Sequence, residues 1–102
     1  MSKKHVISAF IYDKRGKLLS WGRNSYLKTH PLQAKMAQQV GMPHRVFLHA
    51  EIAALAKLKD WSKAHKMVVT RFNEKGEPVL AKPCACCEQA ISLTSIVKVE
   101  HT

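Results

Sequence analysis

The chain has 102 residues, 46% of them hydrophobic and 24% charged, and its 17 Lys and Arg against 7 Asp and Glu give a formal net charge of +10. That length supports one domain, spanning residues 1–102, with a core of its own; it excludes two domains, and the composition excludes a disordered chain. No apolar run approaches the roughly 18 residues of a membrane span and no secretory leader opens the sequence, so a cytoplasmic protein with no membrane partner is expected.

The charge favours anionic partners, either a nucleotide phosphate or a nucleic-acid backbone. The basic residues are nonetheless scattered along the chain, with no run of five. Three cysteines fall within four positions, Cys84, Cys86 and Cys87. Such a cluster cannot cross-link a domain, and it points instead to metal binding or to a thioredoxin-like redox pair.

Residues His5 to Tyr12 (HVISAFIY) are rich in β-branched and aromatic residues, and Leu18 to Tyr26 resumes that composition after a polar stretch with Gly16. The pair reads as a β-hairpin. Gly22 interrupts the second strand, which marks a bulge or a close approach to the backbone. From Thr29 the pattern changes: Thr29 or His30 can cap, Pro31 suits a first helical turn, and Leu32, Met36 and Val40 recur on one face until Gly41 and Pro43 end the helix.

His49 to Leu58 (HAEIAALAKL) is a second helix of strong helix formers, with Ile52, Leu55, Ala56 and Lys59 as the expected buried register. Lys66 to Phe72 predicts a third strand, 73–76 a turn and 78–81 an extended return. Pro83 then opens a helix over Cys84 to Ser92, and Ile96 to Val99 predicts the fourth strand. The order strand, strand, helix, helix, strand, helix, strand implies an α/β fold with a sheet of about four strands covered by helices.

Within this frame two stretches carry chemistry. Cys84 and Cys87, three apart on a helix, put both sulfurs on one face, while Cys86 points away. Amides and dipole at the helix start favour thiolates, the form a metal requires. His49 supplies a third ligand, which leaves the fourth tetrahedral position open for water, the catalytic arrangement for Zn2+. Glu51, two residues on, stands beside the metal without needing to bind it, as a proton shuttle between water and a leaving nitrogen. His5, His30, His44, His65 and His101 have no comparable spacing.

His49-Ala50-Glu51 followed by Pro83-Cys84-x-x-Cys87 resembles the zinc-dependent cytidine deaminase superfamily, in the branch with a histidine ligand that includes deoxycytidylate, guanine and tRNA adenosine deaminases. The resemblance spans nearly the whole chain, although the first helix of the usual core is missing before Val6. It implies a three-layer α/β/α sandwich with a truncated mixed sheet, zinc on His49, Cys84 and Cys87, and Glu51 moving protons while hydroxide attacks C4 of cytosine or the equivalent carbon of another base. It further implies that Asn24, in Gly22-Arg23-Asn24, hydrogen-bonds the sugar or base, and that the backbone around Ala50 and Pro83 contacts the base.

Arg23, Lys28, Arg45 and Lys82 lie close in sequence to these elements and favour a phosphate-bearing substrate. The first expectation is therefore deamination of a cytosine-type nucleotide or nucleoside, with deoxycytidylate the best single guess. The alternatives are an editing deaminase of single-stranded DNA or RNA, with Trp21, Tyr26 or Phe47 stacking an extruded base, and a non-catalytic zinc-binding module. Relatives usually continue past the position of Thr102 through a further helix and strand, so a homo-oligomer that closes the site is expected; a monomer by light scattering at micromolar concentration would count against it.

Overall fold

The computed structural model describes residues 6–25, 31–39, 41, 49–81 and 83–102, with the side chains of residues 37, 85 and 86 excepted. Its elements are strands β1 (Val6–Tyr12) and β2 (Leu18–Arg23), helices α1 (Pro31–Gln39) and α2 (Ala50–Lys57), a 3-10 turn at Trp61–Lys63, strand β3 (Lys66–Phe72), helix α3 (Ala85–Ser92) and strand β4 (Lys98–His101). This is the expected order with one short turn added. The four strands form a mixed sheet in the order β2-β1-β3-β4, antiparallel except for the parallel β3–β4 pair.

Alternation along the strands separates two faces. Ala9 and Ile11 of β1, Ser20 and Gly22 of β2 and Met67 and Val69 of β3 are buried on one of them, where they join Ile52, Leu55, Ala90 and Ile91 of the helices in a single core. Helix α2 lies on β1 and β2, and α1 and α3 pack against it and against each other. Among the described residues the helices therefore form one layer. The second helical layer of the expected three-layer sandwich is not among them, and Phe10, Tyr12 and Val68 on the other face stay partly accessible while Trp21 is exposed.

The seating of α2 depends on Gly22. A Cβ built there would stand 2.5 Å from the Ala54 nitrogen and 2.7 Å from the Ala53 Cβ, so the glycine marks a close approach; the one irregularity in the β1–β2 pairing falls elsewhere, between Ile11 and Tyr12. The end of α2 is fastened to the same strand. Helix C-termini leave carbonyls without intrahelical partners, and here the Ser20 hydroxyl donates to Ala54 O at 2.8 Å while the Trp61 indole N–H donates to Leu55 O at 2.9 Å.

Three sequence expectations shift. Ala56 and Lys59 are exposed; the buried run of α2 is Ala50 to Leu55, because the sheet covers one side of the helix and α1 and α3 the other. The fourth strand is Lys98–His101, two residues later than the apolar pattern suggested, since pairing with Lys66–Val69 fixes it. On α1 the buried positions are Gln33 and Met36, with Leu32 only half-buried. Thr29, His30, Val40 and Pro43, and the predicted strand beyond Ser25, lie outside the described residues.

Candidate metal centre

Helices α2 and α3 begin side by side, each on a residue outside the set that usually caps helices. His49 is the N-cap of α2 (φ −85°, ψ 154°) and Cys84 the N-cap of α3 (φ −76°, ψ 174°); the His49 side chain makes no cap bond, while the Cys84 sulfur has the Cys87 amide and thiol, in the first turn of α3, as partners. N-caps are normally Ser, Thr, Asp or Asn, which accept from a free amide. Here the side chains also turn to each other. Cys84, expected as the first helical residue, thus stands just before the helix, and Pro83 one place further out.

The His49 Nδ1 lies 3.3 Å from Cys87 Sγ and 3.4 Å from Cys84 Sγ, and the two sulfurs are 3.7 Å apart. Tetrahedral zinc with bonds of about 2.3 Å to sulfur and about 2.1 Å to nitrogen holds its ligand atoms about 3.8 Å (S to S) and about 3.6 Å (N to S) apart. The three side chains are therefore a cluster able to hold a metal ion, and among the described residues they form the one such group of three or more. The arrangement requires little movement of any ligand atom.

The thiols show what the cluster does with charge. A hydrogen bond from Cys87 holds the Cys84 thiol down to about 3, with His49 adding to the effect, whereas the Cys84 sulfur and burial push Cys87 upward. A metal ion at the cluster would favour ionisation of both sulfurs.

Glu51, in the first turn of α2, is 5% exposed. Burial pushes its carboxyl above the usual carboxylate range, opposed by a bond to its own backbone amide and by His49; the Cys87 thiol is a side-chain partner. It thus adjoins His49 and Cys87 while standing outside the trio able to hold a metal ion.

Gln33 was not singled out by sequence reasoning. It is fully buried, and its Oε1 accepts from the His49 backbone N–H at 3.2 Å, so α1 fixes the ligand's main chain. Its signal was only a polar residue three before the buried Met36. A second clasp, Gln89 Nε2 to Gln39 Oε1 at 3.0 Å, joins α3 to α1.

The residues expected to touch substrate are distributed unevenly. Ala50 is fully buried directly after His49, and Pro83 is buried at the edge of a 340 Å³ groove between α3 and β4. Asn24 closes the end of the hairpin: its Oδ1 accepts from Ile7 N–H and its own N–H donates to Ile7 O, both at 3.1 Å. Arg23, one residue past Gly22, falls on the sheet face away from α2 and is exposed. Lys28, Arg45 and Lys82, like Tyr26 and Phe47, lie outside the described residues, and so does the side chain of Cys86.

The class these features define is an α/β domain with a His-Cys-Cys cluster able to hold a metal ion at paired helix starts. Compared with family descriptions, with curated proteins and with solved structures, the chain matches none.

Proposed function

We propose that the chain is a zinc-dependent hydrolase that deaminates a cytosine-type nucleotide or nucleoside, with release of ammonia. The observation that carries this reading is the placement of Glu51, a buried carboxyl in the first turn of α2 after His49 and in contact with Cys87, beside the three side chains that, among the described residues, could hold a metal ion.

Bound by His49, Cys84 and Cys87, zinc supplies a Lewis acid that makes water a nucleophile at neutral pH. Glu51 takes the proton from the attacking water and passes it to the base, so that the C4–N bond breaks and the amino group leaves as ammonia while C4 gains a carbonyl oxygen. The burial that raises the Glu51 pKa suits this role, because a shuttle must both accept and release the proton near neutral pH. The buried Ala50 backbone and the α2 start form the wall against which the base would lie.

The test is ammonia release from a panel of nucleosides, nucleotides and oligonucleotides by zinc-loaded protein, alongside Glu51→Gln. Turnover of a cytosine substrate that vanishes in the variant, with zinc retained at one per chain, is expected. Zinc binding in both proteins with no turnover of any substrate refutes the enzyme reading and leaves a zinc-binding module.

A further inference from the structure

The excess positive charge of the described residues, scattered in sequence, is gathered in space. Where β1 ends and β3 and β4 begin, the β1–β2 turn carries Lys14, Arg15 and Lys17, all exposed. Tyr12 beside that turn pairs with Lys66, which pairs in turn with Lys98. A 260 Å³ hollow at the end of α2 is lined by Lys57, Lys59 and Lys63 over Leu19 and Leu58. These eight cations meet three acids, and each acid is engaged: Asp13 accepts from the backbone of Arg15 and Lys17, Asp60 from Ser62, and Glu100 lies 3.9 and 3.8 Å from Lys66 and Lys98.

Elsewhere among the described residues four cations, Arg23, Lys35, Arg71 and Lys75, face four acids, Glu51, Glu74, Glu77 and Glu88. The excess of the described residues thus sits at one pole. Helix C-termini attract basic side chains, which accounts for Lys57 and Lys59 but not for the turn or the strand starts. The pole also offers an aromatic surface, since Trp21 is 47% exposed with the Lys57 ammonium 5.2 Å from its ring centre.

From this polarity we infer that the pole is a docking surface for single-stranded nucleic acid, with the lysines on phosphates and Trp21 as a stacking platform for a base. A positive groove combined with exposed aromatic rings is how proteins hold single strands without reading sequence. The surface is separate from the metal cluster: α2 runs between them, eight residues long, or about 12 Å at 1.5 Å per residue. It would therefore hold the protein on a strand whether or not that strand supplies the reacting base. The inference does not depend on the proposed deamination.

The test is fluorescence anisotropy of a labelled mixed-sequence DNA strand of about 20 nucleotides, titrated with the full chain at several salt concentrations. Lys59→Gln/Lys63→Gln is compared with Lys35→Gln/Lys75→Gln, which removes the same charge away from the pole. Each phosphate contact on a single strand contributes about 0.7 to the slope of log affinity against log salt, so the pole variant should lower that slope by about 1.4 and weaken binding about tenfold at low salt, with the control within about twofold of the unaltered chain. Trp21→Leu should weaken binding with the slope unchanged. Equal losses in both double variants, no binding at low salt, or tighter binding to phosphatidylserine vesicles or polyglutamate than to the strand would each overturn the inference.

Discussion

Replacing Gly22 with alanine tests how the sheet positions the metal cluster. The new Cβ would sit 2.5 Å from a backbone nitrogen of α2 and 2.7 and 2.8 Å from Ala53 Cβ and carbonyl carbon, where ordinary contact begins at 3.4 Å. None of these atoms is the end of a flexible side chain, so α2 must retreat by about 1 Å or β2 must bend, and overpacking of this kind costs about 1–3 kcal/mol. The upper end applies, because three contacts are violated together and the Ser20 bond to Ala54 O stretches with them. Alanine recovers about 0.5–1 kcal/mol by restricting the unfolded chain. The net loss is about 2 kcal/mol, or a fall in Tm of about 8–16 °C for a domain of this size. Because His49 and Glu51 ride on α2 while Cys84 and Cys87 ride on α3, the same retreat should weaken zinc at least tenfold in a chelator competition. Urea titration and chelator competition measure the two effects. A variant as stable as the parent with unchanged zinc affinity would refute the account of Gly22 as the seat of the helix.

Gln33→Leu removes the acceptor of the His49 amide and should cost about 1–3 kcal/mol, with zinc affinity reduced and Gln33→Glu partly restoring it; unchanged affinity in both would show that α1 does not steady the ligand. In cobalt-loaded protein, thiolate charge-transfer absorption should diminish in Cys84→Ser and in Cys87→Ser and persist in Cys86→Ser, and loss in the last would place a different sulfur on the metal. Asp60 is held below the usual carboxylate range, first by the Ser62 hydroxyl and then by its amide. A depressed folded-state pKa contributes stability above the unfolded value that disappears as acid titrates the folded group. The unaltered chain should therefore lose more stability than Asp60→Ala between about pH 5 and pH 3 in parallel urea titrations, and identical pH profiles would remove the 3-10 turn from the account.

Local chemistry made β3 legible from end to end, because the run Lys66 to Phe72 is bounded by a polar turn and its burial alternates from Lys66 to Thr70. β4 was misplaced by two residues since Ile96 packs on the core before the strand begins and Val97 is 76% exposed, so apolar character there does not report strand position. Partner register decides it, and register is not local. Likewise, the buried face of α2 could not be inferred from one periodicity when two neighbours enclose the helix. Spacing pointed to His49, Cys84 and Cys87, which the fold does bring together, and to Glu51 beside them, whereas Gln33 escaped because its worth comes from a main-chain amide 16 residues away. The charge showed the opposite contrast: no basic run exists along the chain, yet a hairpin turn, a helix end and two strand starts bring eight cations together.

The use of His49 and Cys84 as N-caps has a consequence for the two helix starts. Serine or aspartate at position 49 or 84 would begin each helix better, by about 1 kcal/mol per helix; histidine and cysteine give up that stability for a place in the cluster. The first turns of α2 and α3 are accordingly short of a Ser, Asp or Asn cap, and they are the same turns that present Glu51 and Cys87. An ion held by His49, Cys84 and Cys87 would tie the two helix starts together, a gain in order that amide hydrogen exchange with and without metal can read.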